Sequence, residues 1–141
     1  MKFKLLSIIV AFPLLALSQM TEYEVRQMIL TAKEQQLVVE SSSMIQENYY
    51  YLAEIIVDKL LTLQPESSNY NYRKGYLILG ARTDYKAALP YLLKAAQSVS
   101  NNYDAYSLKE TTAPVDAYYH LGICYHMDEQ LVEAKKYYNL F

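Results

Sequence analysis

The chain has 141 residues, with 13 lysines and arginines against 15 acidic residues, a formal charge of −2, and a single cysteine. A mildly acidic chain without basic runs is poorly suited to phosphate backbones, so nucleic acid is excluded as the expected partner, and one cysteine cannot form an internal disulfide. Three glycines, all after residue 74, are too few for a β-sandwich rich in tight turns or a glycine-rich phosphate loop.

The chain opens Met1-Lys2-Phe3-Lys4 and is then almost wholly apolar over 5–17, closing with Ala16-Leu17-Ser18. A basic start, a short apolar core and small residues make residues 1–18 a secretory signal peptide. The apolar run includes Pro13 and falls short of the roughly 20 residues that span a bilayer. With cleavage before Gln19 the chain loses Lys2 and Lys4, leaving 11 basic residues against 15 acidic ones and a charge of −4. The expectation is an exported, periplasmic protein with no transmembrane segment in its mature form. All 16 tyrosines lie in that mature part, and there is no tryptophan.

Residues 19–33 read as one amino-terminal helix. Thr21 is its cap, Glu24 completes a capping box, and Val25, Met28, Ile29 and Ala32 form the apolar stripe. It either caps the domain or continues into a helix over 35–46. Residues 34–67 read as a helical hairpin whose second helix opens at 48–53 and stops at Gln64-Pro65, where proline forbids continuation. Residues 68–102 form a second hairpin, its second helix opening at Asp84-Tyr85, with Pro90 expected near that start, where its cost is lower. A polar stretch, 103–114, intervenes as an inserted loop. Residues 115–141 give a third, incomplete hairpin, with Met127-Asp128-Glu129-Gln130 as the turn.

The third unit carries the strongest pattern. Tyr118, Leu121, Gly122 and Tyr125 share one helical face, and Ala134 and Tyr138 follow on the next helix. This order and spacing resembles the tetratricopeptide repeat, a helix–turn–helix unit of about 34 residues. The resemblance implies an all-α solenoid of antiparallel hairpins with about three repeats, small side chains letting paired helices approach. Counting back from Ala134 gives Ala88 and Ala53, with Ala95 one surface further along and Pro65 where the family ends a repeat. The facing positions are then Gly122, Gly75 and Ser41. Departures are a Lys74 where leucine is usual, a 46-residue step from Ala88 to Ala134, and a first unit lacking the Leu-Gly pair.

The signal peptide ending in Ser-Gln, the string 69–76 and the string 113–122 together are similar to the amino-terminal region of Bacteroidota envelope proteins of the OmpA family. That resemblance implies tetratricopeptide repeats followed by a β-propeller and a peptidoglycan-binding domain, with outer-membrane or cell-wall association through those later domains.

In such repeats the partner-binding groove is lined by leading-helix residues: here Asn69, Tyr72, Tyr76 and Leu79 in the second unit, and Asp116, Tyr119, Ile123, His126 and Met127 in the third. A tyrosine-rich groove suits an extended or helical protein segment. The expected function is therefore a non-catalytic scaffold of the envelope binding a protein or peptide; the alternative is a rigid spacer with no client of its own. No cofactor, metal or catalytic residue is expected. His120 and Cys124 lie four apart on one helix, but a zinc site needs more ligands, and His126 is turned away by about 240°. Glu47, Glu54 and Asp58 read as a solvated face, and Ser41-Ser42-Ser43 has no strand-to-helix elbow to activate a hydroxyl.

Overall fold

A computed structural model describes residues 20–141. The expected signal peptide over 1–18 and the cleavage before Gln19 lie outside the described residues. Within them the chain is all-α apart from one pair of two-residue strands. In order it runs α1 Glu22–Thr31, α2 Glu34–Gln46, α3 Tyr50–Leu63, α4 Ser68–Arg82, α5 Tyr85–Ala95, β1 Val99–Ser100, β2 Ala113–Pro114, α6 Asp116–Met127 and α7 Leu131–Tyr138. No helix among the described residues is long and apolar enough to cross a membrane.

Local chemistry sets several of the helix ends. At α1 the Thr21 hydroxyl accepts from the Glu24 amide at 3.3 Å, and the Glu24 carboxylate accepts from the Thr21 amide at 2.7 Å. Each bond satisfies an amide that the first turn leaves without a helical acceptor. Ser67 caps α4 by accepting from the Tyr70 amide, and Asp84 caps α5 by accepting from the Ala87 amide at 3.0 Å. Helix α3 gives way at Gln64, just before Pro65. Pro90 departs from expectation. It is the sixth residue of α5, in the second turn, where its missing N–H removes the usual i→i−4 bond to the Lys86 carbonyl.

The helices pair as hairpins α2/α3, α4/α5 and α6/α7, each packed onto the next through α3 against α4 and α5 against α6, while α1 lies on α3. The first core joins Val25, Leu37, Val38, Met44, Ile56, Val57, Leu60, Tyr70 and Leu77, with Met28, Ile29 and Ala32 of the α1 stripe packed on it. A second joins Ile78, Ala88, Leu92, Leu121 and Cys124. Removing such side chains from water, at about 1.5–3 kcal/mol for each large aliphatic group, is the main force that stacks hairpins. At the far end Leu131, Val132, Leu140 and Phe141 are exposed.

The three hairpins share a turn. Among the described residues, Asn48, Thr83 and Glu129 are the three non-glycine residues with positive φ, at 63°, 53° and 59°. Each stands five residues before a buried alanine (Ala53, Ala88, Ala134). The amides of those alanines bond the carbonyls of Tyr49, Asp84 and Gln130, all at 3.0 Å. The turns thus recur at one register along the chain.

Ser41, Ala53, Gly75, Ala88, Ala95, Leu121, Gly122 and Ala134 are buried; Tyr118, Tyr125 and Tyr138 are half-buried and Pro65 is exposed. The pairing at the small residues differs in detail from the sequence reading. A Cβ on Gly122 would sit 2.4 Å from the Tyr138 ring, so the aromatic one turn beyond Ala134 fills that notch. A Cβ on Gly75 would meet Leu92 at 2.6 Å and the Ala88 carbonyl oxygen at 3.4 Å. Ser41 is a hydrogen-bonding residue, accepting from Arg73 at 2.8 Å and donating to the Val38 carbonyl at 3.1 Å. It binds a cation as well as sparing space.

The insertion is closed at its neck. Parallel pairing sets Val99 beside Ala113 and Ser100 beside Pro114, and the Ala113 amide donates to the Ser98 carbonyl at 2.8 Å. The twelve residues between the strands therefore leave and rejoin the helical stack at adjacent points.

Candidate functional site

A cleft of about 480 Å³ opens on the side of the stack formed by α2, α4 and α6, the leading helices of the three hairpins. Ser42 and Ile45 come from α2, Tyr72, Arg73 and Tyr76 from α4, and Asp116, Tyr119 and His120 from α6; Tyr103 and Ala105 of the insertion and Pro114 complete it. Another depression, at the turn around Pro65, is lined by Ser67, Ser68 and Ser98 and gathers no comparable set of rings.

Rings dominate the cleft walls. Tyr72 and Tyr76, one turn apart on α4, have centroids 6.1 Å apart and planes inclined by 29°. His120 meets Tyr72 at 5.8 Å, Tyr76 at 5.4 Å and Tyr119 at 5.7 Å. Tyr103 closes edge-on against Tyr72 at 6.3 Å. Such edge and offset contacts set the positive rim of one ring against the negative face of another.

The charges in the cleft are few. Burial holds His120 below the ordinary imidazole value, a lowering only partly opposed by its hydrogen bond to the Asp116 carbonyl. The neutral ring donates from Nδ1 to that oxygen at 2.8 Å, which leaves Nε2 as an acceptor. Burial raises the Tyr72 hydroxyl, and hydrogen bonding to Tyr50 together with burial raises Tyr76, so both stay protonated. Arg73, only 2 % exposed, forms the inner wall. It donates from Nε to Asn69 Oδ1 at 2.9 Å, from Nη1 to the Val38 carbonyl at 3.1 Å and to the Ser41 and Ser42 hydroxyls at 2.8 Å each, and from Nη2 to the Ala105 carbonyl. All of those acceptors are neutral. The Asp116 carboxylate is exposed and makes no ion pair among the described residues.

Of the expected groove residues, the structure brings Tyr72, Tyr76, Asp116 and Tyr119 into one cleft. Asn69 is not on that surface. The insertion folds over it, so it is fully buried, accepting from Tyr103 at 2.8 Å and donating to the Glu110 carbonyl at 3.0 Å. Leu79 packs on the second core. Ile123, His126 and Met127 do not line the cleft; His126 is edge-on to Tyr138 at 6.3 Å, and Met127 is exposed. Sequence reasoning missed Arg73, Tyr103 and the part His120 plays. Tyr103 is distant in sequence and reaches the cleft only because the insertion folds back.

Cys124 is 1 % exposed, and burial pushes its thiol up to about 11, which suits a small core residue. Among the described residues no three His, Cys, Asp or Glu side chains are grouped to hold a metal ion. Glu54 is a correction. It is buried rather than solvated, accepting from Lys74 at 2.8 Å and from both Arg82 terminal nitrogens at 2.8 and 2.9 Å. Burial raises its carboxyl, but the bonds from Arg82 and Lys74 outweigh that and the net shift is downward. Lys74 stands at a position expected to be leucine because it makes this pair between α3 and α4.

No protein-family model matches the chain, and no curated protein matches it.

Proposed function

We propose that the chain is a tetratricopeptide-type solenoid acting as an exported, non-catalytic scaffold, and that it binds an extended segment of a protein partner along α2, α4 and α6. The observation that carries this is the convergence of Tyr72, Tyr76, Tyr119 and His120, drawn from two successive hairpins, on one open cleft. Aromatic side chains supply large contact area at low entropic cost and dominate interface energetics. The recurring turn before Ala53, Ala88 and Ala134 and the close helix approach at Gly75 and Gly122 support the repeat reading. The amino-terminal sequence supports export to the periplasm, and its likeness to OmpA-family envelope proteins supports a place near the outer membrane.

The test is selection of displayed peptides on the purified mature protein, followed by affinity measurements on Tyr76→Ala and Tyr119→Ala. A selected peptide should lose about tenfold or more in affinity on each variant, as expected for a buried aromatic anchor, while melting temperatures stay close to that of the parent. Failure to select any binder, or binders indifferent to both variants, would favour the spacer reading.

A further inference from the structure

The cleft has a charge pattern more specific than a generic aromatic groove. Its lining residues include two charged side chains, and they are not equally available to a ligand. Arg73 is almost completely buried, and its guanidinium is spent on Asn69, Val38, Ser41, Ser42 and Ala105. An incoming anion would have to break that brace, which joins α2, α4 and the insertion. Asp116 is the reverse case: exposed, on the rim, and without an ion-pair partner among the described residues. Between them stand protonated tyrosines and a neutral imidazole, whose ring faces are regions of negative potential.

Resting on the groove reading above, we propose that this cleft is a subsite for one basic side chain, arginine or lysine, carried on an extended peptide segment. The cation stacks against the faces of Tyr76 and Tyr119 and is neutralised by the Asp116 carboxylate. A cation over a tyrosine face with a carboxylate beside it is favourable where water is partly excluded, and the volume of about 480 Å³ accommodates a long side chain with its flanking backbone. The Asp116 field already acts on this space, since it contributes to raising the hydroxyls of both Tyr72 and Tyr76. Arginine suits the site better than lysine, because its planar, weakly hydrated group stacks on rings.

The experiment uses the mature protein and four flexible glycine–serine peptides that differ only in a central arginine, lysine, glutamate or norleucine, titrated at low salt by nuclear magnetic resonance. The arginine peptide should bind about fivefold or more tightly than the norleucine and glutamate peptides, with shifts centred on Tyr72, Tyr76, Tyr119 and His120. Asp116→Asn should remove most of that preference and Asp116→Glu should retain it, with thermal melts confirming that both fold. Preferential binding of glutamate would overturn the proposal and make Arg73 the governing charge. Equal binding of all four would overturn it while leaving the groove reading intact. If no peptide binds, while a peptide selected for affinity does, the subsite alone falls; if that one fails too, both fall.

Discussion

Arg73 on α4 donates to the Ala105 carbonyl of the insertion while the same guanidinium holds the Ser41 and Ser42 hydroxyls of α2. One buried cation therefore fastens three chain segments, and it does so with neutral acceptors alone. Burying a charge is expensive unless hydrogen bonds replace its hydration, so its partners and the insertion depend on one another.

The first prediction follows from that dependence. Arg73→Ala removes a side chain with five hydrogen-bonded acceptors and should destabilise the fold by about 3 kcal/mol, measured by urea unfolding. Amide exchange should accelerate most over 103–110, where the Ala105 and Glu110 carbonyls are held directly or through Asn69. Loss spread evenly over all helices would argue against the brace.

The glycines at the helix crossings are not equivalent. Gly75→Ala drives a Cβ into Leu92, a fully buried residue of the second core, and should cost about 1–3 kcal/mol despite alanine's better helix propensity. Gly122→Ala meets the Tyr138 ring, which is half-buried on the last helix and can swing outward, so its cost should be smaller. Melting temperatures of the two variants rank them, and the reverse order would contradict the packing described.

Thr83 is a β-branched residue in the left-handed region, where Asn48 holds the matching place in the first turn. That conformation is strained for threonine and tolerated by asparagine. Thr83→Asn should therefore stabilise by about 0.5–1 kcal/mol, seen as a higher denaturation midpoint with an unchanged slope.

The pH dependence has a definite sign. His120 is held neutral in the fold, its pKa lowered from the ordinary value of 6.5 chiefly by burial. Above that value both folded and unfolded chains carry a neutral ring, and the packing contribution is complete. As pH falls below it, the unfolded chain takes up a proton that the folded chain resists, so stability declines until the folded value is passed. Denaturation curves between about pH 8 and pH 5 should show this loss, and His120→Gln should flatten it. A parent curve no steeper than the variant's would refute it.

Much of the helical layout is written locally. The Thr21–Glu24 box, the stop at Pro65 and the small residues at Gly75 and Gly122 act over a turn or two, so spacing alone reveals them. Within the cleft, Tyr72, Tyr76, Asp116 and Tyr119 are legible through the resemblance to the repeat, which implies a groove along the leading helices. What stays hidden depends on chain reversal. Asn69 has the spacing of a groove residue, yet the insertion buries it, and nothing near it in sequence announces Tyr103 or Ala105 as neighbours. Glu54 looks like a surface charge when read on its own helix, and Lys74 looks like a misfit where leucine is usual. Their mutual burial becomes visible only once α3 and α4 are packed together.

The strand pair Val99–Ser100 and Ala113–Pro114 brings the two ends of the excursion side by side. Positions of the excursion other than Tyr103, Ala105 and Glu110, which are tied to Asn69 and Arg73, can change with little effect on the helices on either side. The neck thus makes the rest of this stretch a natural cassette, where evolution or an engineer can rewrite the margin of the cleft while those three anchors and the scaffold stay in place.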